Sequence, residues 1–270
     1  MDDFAAEYVV ARRVLLDALV ALDQHLGSLV LVGAQAVHHH TGSADLRVPL
    51  MTTDADLAVN TDTLAGTPEI GETLRAAGFR SGANPGHWIA GNDVAVDLMV
   101  VPHQARTEKS SARAARLDPH DRRTARIARG LEPSLVDNEL VTIAALDHAD
   151  PRTRDLRVAG PAALLTAKLI KIGERLDQAD RQPDRLKEKD ALDVFRLLQA
   201  TEVADLLLGF ERHRSDPHAD LATEEALTIL REHGSGSGAL LALLAGSASQ
   251  GDPTVVPAFA ALAAEVLAAV

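Results

Sequence analysis

The chain has 270 residues, a formal net charge of −12, 46% hydrophobic residues and 3% aromatics. That length supports one large domain or two small ones, with a core built from Leu, Val and Ala. The lack of cysteine excludes a disulfide framework, a thiolate nucleophile and a zinc–thiolate site, and the acidic balance excludes a surface that coats nucleic acid broadly, though not a local basic patch. No apolar run approaches the ~20 residues that cross a bilayer. The opening MDDFAAEYVV is acidic and unlike a signal peptide, so a cytoplasmic protein with no membrane partner is the expectation.

Residues 7–26 read as an amphipathic helix. Its apolar stripe is Val10, Val14, Leu15, Ala18, Leu19 and Leu22, with Arg12, Arg13, Asp17 and Asp23 largely off it and Gly27 as the stop. A short apolar run, Leu29 to Val32, ends on Gly33, and 34–41 permits a helix. A polar connection leads to a strand-like run with Asp54 and Asp56 before Leu57, Ala58 and Val59. A helix is expected over 68–77, then short strands at 79–80 and 87–90 around the turn SGANPG. Residues 92–101 alternate as a further strand. Residues 135–136 and 140–145 suggest two more, and helices are expected over 161–179, 186–199, 202–213, 221–233, 239–245 and 257–269. The fold class is thus an α/β (α+β) N-terminal lobe with a mixed sheet, 1–157, and an all-helical C-terminal lobe, 158–270, with a cleft between them.

Asp54 and Asp56 stand at i and i+2, so they share one strand face, with Ala55 and Leu57 opposite. Two carboxylates held that close repel unless a cation lies between them. In 92–101, Val94, Val96, Leu98 and Val100 share one face and Ala95, Asp97, Met99 and Val101 the other. Asp97 is therefore a charge within an apolar strand, which is costly unless it is paired or binds metal. If the two strands are neighbours, three hard oxygen ligands meet, a set suited to one or two Mg2+ ions and a nucleotide.

A glycine turn into a helix, a strand with DxD and a later strand with a single Asp together resemble the nucleotidyltransferase superfamily, and within it the AbiEii-type and MenT-like toxin group. The residues are Gly33, Asp54, Asp56 and Asp97, with a second block in which Lys168, Arg175, Lys189, Asp190 and Asp193 resemble the group's helical K…R…KD..D motif. The likeness covers roughly 28–200. Position 34 is Ala where the superfamily has Ser or Gly, and the stretch from Gly33 to Asp54 is long. The resemblance implies transfer of an NMP from an NTP to an acceptor hydroxyl, a tRNA 3′ end, by the toxin of a toxin–antitoxin pair. Asp54, Asp56 and Asp97 would bind Mg2+. Gly33, Ala34, Thr53, Lys168 and Lys171 would contact the nucleotide, and Asp190 would orient Lys168 at the catalytic centre.

The segment from Gln104 to Gly130 carries eight Lys and Arg against three acids, +5 within a chain of −12. It reads either as a wall for tRNA phosphates or as a solvated loop whose arginines pair with acids elsewhere. His38, His39 and His40 fan around a helix axis and do not converge on a metal. No Walker-type lysine loop or G-x-S-x-G elbow occurs. Two other function classes stay open: transfer to a small hydroxylated molecule, and a non-catalytic nucleotide-binding module.

Overall fold

The computed structural model describes residues 4–42, 52–107, 112–178, 187–236 and 238–270. The predicted helix limits at Ala179 and Leu186, and Lys109 of the basic segment, lie outside them. The chain forms two compact units. The first is Met1–Ala36, Pro49–Ala128 and Asn138–Ala159; the second is Val37–Val48, Arg129–Asp137 and Gly160–Val270. The boundary read at 157/158 falls inside the last strand of the first unit, and the second unit takes in two short stretches from earlier in the chain.

Among the described residues the first unit carries an eight-stranded mixed sheet. Helix α1 (Ala6–Ala21) leads through a 3-10 turn, Asp23–Ser28, into β1 (Leu29–Val32), which turns at once into α2 (Gly33–Thr41). There follow β2 (Asp54–Val59), α3 (Ile70–Ala76), β3 (Arg80–Ser81), β4 (His87–Ile89), β5 (Ala95–Val100), β6 (Arg126–Ile127), β7 (Asn138–Ala144) and β8 (Thr153–Ala159). The sheet order is β3-β4-β5-β2-β1-β8-β7, with β6 paired to β5. β2 runs parallel to β5 and β1 parallel to β8, while β1 and β2 are antiparallel. Helix α1 packs on β2 and β5, with Leu15, Leu16 and Leu19 fully buried.

Three expectations change. The helix read over 7–26 ends at Ala21, and the tighter turn after it buries His25, whose Nε2 lies 2.9 Å from the Pro68 carbonyl. Residues 135–136 form no strand: Glu132–Leu135 is a 3-10 helix with Pro133 in its first turn, a residue with no N–H for a ladder. The strand β8 was not foreseen, because Arg154, Asp155 and Arg157 interrupt its apolar signal. Its burial nevertheless alternates over most of its length, with exposed Thr153, Asp155 and Arg157 against buried Leu156 and Val158 and half-buried Arg154.

The second unit is helical from Pro161 on: α4 (Pro161–Leu176), α5 (Glu188–Ala200), α6 (Val203–His213), α7 (Pro217–His233), α8 (Leu240–Ala248) and α9 (Val255–Ala269). Pro161 opens α4, where the missing N–H costs nothing. Phe195 of α5 stacks on Phe259 of α9 with ring centres 6.2 Å apart.

Candidate active site

The parallel ladder of β2 and β5 pairs Asp54 with Ala95 and Asp56 with Asp97. Partners in register point to the same side of a sheet, so Asp54, Asp56 and Asp97 share one face. Asp54 and Asp56 are the half-buried residues of a β2 otherwise buried throughout, and Asp97 is the half-buried residue of β5. On the other side of β2, Val32 stands opposite Asp56, one residue before the chain turns.

Gly33 makes that turn with φ +68°, and a Cβ there would lie 2.0 Å from Asp56 Oδ2. The position therefore needs glycine twice over: for the left-handed backbone and for the carboxylate resting on it. Ala34 follows, buried, in the first turn of α2. Thr53 is exposed, whereas its neighbour Thr52 is buried and donates to Asp54 Oδ1 at 2.9 Å.

Asp97 has two side-chain partners. His87 Nδ1 lies 2.6 Å from its Oδ1, and an Arg126 guanidinium nitrogen lies 3.5 Å from its Oδ2. β4 brings His87 opposite Asp97 in register. Gly86, at φ +75°, lets β4 start there: a Cβ would meet the Leu98 carbonyl at 2.3 Å. Neither neighbour is legible from spacing, since His87 and Arg126 reach Asp97 from separate strands.

In the second unit, Lys168 is 6% exposed and its ammonium lies 2.6 Å from Asp193 Oδ2 and 3.5 Å from Asp190 Oδ1. Lys171 reaches Asp190 at 3.1 Å, and Arg175 pairs with it as well. Burial works against an ionised Asp190, but Lys168, Lys171 and Arg175 outweigh it and hold its carboxyl below the usual range. Arg196 lies 3.9 Å from Asp193 Oδ1 and 3.4 Å from His38 Nε2. Arginine can only donate, so His38 Nε2 accepts and the ring is neutral. Burial drives its pKa down to about 3, with the Arg196, Lys189 and Lys168 charges adding to the effect against Asp193.

The basic segment is partly spent internally. Arg126 faces Asp97, Arg123 donates to Ser81, Gly82 and Ala83, Arg116 pairs with Asp118, and Arg129 pairs with Glu174 and Glu225. Among the described residues, Arg106, Arg113 and Arg122 are exposed and in no ion pair.

The donor set on β2 and β5 suits a hard divalent cation: carboxylate oxygens alone, on one face, with no sulfur or imidazole among the three. Asp54 and Asp56 offer that oxygen chemistry, but the three carboxylates do not converge on one point as they stand, and Asp97 holds His87 and Arg126 on its oxygens. No family model, curated protein or solved structure matches the chain.

Proposed function

We propose that the protein is a Mg2+-dependent nucleotidyltransferase that moves an NMP from an NTP to an acceptor hydroxyl. The observation that carries this reading is the register of Asp56 with Asp97, beside Asp54, against a glycine that opens a helix. Asp54 and Asp56 hold the metal and Asp97 completes the set. Mg2+ bound there would neutralise the triphosphate and align it for in-line displacement. The Gly33 and Ala34 amides, at the positive end of α2, suit a phosphate oxygen, and Thr53 is exposed one residue before Asp54. The acceptor oxygen attacks the α-phosphorus, pyrophosphate leaves, and the hydroxyl proton passes to Asp97. Lys171 is the most exposed cation of α4, whereas Lys168 is held by Asp193.

The acceptor that the resemblance gives is a tRNA 3′ end, with growth inhibition as the outcome and an antitoxin as the second partner. The test is incubation with total tRNA, Mg2+ and each α-labelled NTP. Label on RNA that disappears in Asp54→Ala is the expected result. Full transfer by Asp54→Ala would end the reading. A small hydroxylated acceptor is the second reading, favoured by the internal partners of Arg116, Arg123, Arg126 and Arg129. Label on a small-molecule pool with none on RNA would select it.

A further inference from the structure

β2 runs past the end of its neighbour. The antiparallel ladder with β1 stops at Val32 and Asp56, because the chain turns into α2 at Gly33. Opposite Asp54 no β1 backbone amide remains, yet the Asp54 carbonyl still needs a donor. The Gln35 side chain is its closer donor, with Nε2 3.1 Å from the Asp54 carbonyl oxygen; the Thr52 hydroxyl, directed mainly at Asp54 Oδ1, lies 3.4 Å from it. Gln35 is 1% exposed and sits two residues into α2.

A primary amide can turn over, so something must fix which end faces Asp54. Arg12 does this. Its Nε donates to Gln35 Oε1 at 2.8 Å, which directs the NH2 group to β2. Arg12 is itself held by the Tyr8 hydroxyl at 3.0 Å and the Ala144 carbonyl of β7 at 2.9 Å, and is 6% exposed. Burying a guanidinium is expensive unless each face is bonded. A simple tie between α1 and α2 needs no such charge.

We infer that Gln35, oriented by Arg12, is a positioning residue for the Asp54 metal ligand: it acts as a substitute ladder rung that fixes the strand where its carboxylate begins. The inference rests on the proposed metal-binding role of Asp54. Partners that orient metal ligands are typically worth 10- to 100-fold in metal affinity.

The test is titration of the full chain with Mn2+ alone, followed by electron paramagnetic resonance, for the wild type, Gln35→Glu, Gln35→Met and Asp54→Asn, each with its melting temperature. Gln35→Glu keeps the oxygen that Arg12 binds and removes the donor to Asp54. It also adds negative charge near the site, which by itself would tighten Mn2+. A dissociation constant raised about 10- to 100-fold in Gln35→Glu, with the melting temperature kept, is the expected result. The added charge cannot produce it, and neither can loss of the α1–α2 tie. Gln35→Met removes both bonds at similar volume and weakens Mn2+ equally, which keeps the test decisive if the glutamate variant does not fold. Wild-type affinity in folded Gln35 variants, with Asp54→Asn abolishing binding, overturns the inference and leaves the metal site standing. Mn2+ binding that Asp54→Asn does not alter overturns both.

Discussion

Gly33 and Asp193 set the tolerances of the two units at single-residue scale. At Gly33 any side chain meets both an unfavourable backbone angle and the Asp56 carboxylate. Gly33→Ala should cost about 1–3 kcal/mol of stability by strain at that φ and weaken Mn2+ binding, as urea unfolding and the same titration would record. Asp193 is fully buried with the Lys168 ammonium on it. Asp193→Ala leaves that ammonium without its nearest carboxylate and should cost about 3–5 kcal/mol. Replacing both partners, as Lys168→Met with Asp193→Leu, should recover most of the loss in urea unfolding, because the desolvation penalty goes with the charges. A double variant as unstable as Asp193→Ala would show that the pair is worth more than its burial costs. The shared face of Asp54 and Asp56 and the turn at Gly33 were legible in the sequence, because both follow from the strand period and the residue type. Gln35 and His87 were not, because their partners come from distant parts of the chain and are fixed by the fold and by no local pattern.

Among the elements, α2 shows most plainly how burial converts to pH dependence. His38 on its buried side is held neutral, with its pKa near 3 against about 6.5 in an unfolded chain. The lower folded pKa means that the unfolded state takes up the proton first as pH falls. The contribution to stability is complete above about pH 6.5 and is lost progressively from there down to about pH 3, a matter of several kcal/mol in all. Denaturant unfolding of wild type and His38→Gln between pH 7 and pH 4 should show the difference between them shrinking with acidity; a constant difference would rule out the effect. The same scale shows where sequence reading succeeds and fails. β5 was readable because Asp97 is a lone charge in an apolar alternation, and β8 was missed because Asp155 and Arg157 fill exposed positions and Arg154 a half-buried one. Arg12 was placed off the apolar stripe of α1 on residue type, yet it is buried with three bonded partners. Periodicity reads apolar faces and cannot see a polar group that the interior has satisfied.

For the whole molecule, a net charge of −12 opposes association with RNA at long range. If RNA is bound, Arg106, Arg113 and Arg122 are, among the described residues of the segment, the exposed cations in no ion pair that can release counterions. The slope of log affinity against log salt should then lie at about −2 to −3, at 0.7–0.9 per contact, measured by filter binding from 50 to 300 mM salt. A slope of about −6 to −7 would mean that the paired arginines of the segment also turn outward. The division into two units was only partly legible, because the second borrows short stretches from the N-terminal half that composition does not mark. Asp97 has a last consequence, for how the sheet assembles. It lies on a strand flanked by both β2 and β4, between Val96 and Leu98, each fully buried. A slip of one residue would send its charge into the interior and turn those two side chains outward. The acid that would bind metal thus acts as a proofreading mark for strand alignment. A chain with Asp97→Val could gain stability from the apolar swap and still lose its single register, visible as extra amide resonances from β5.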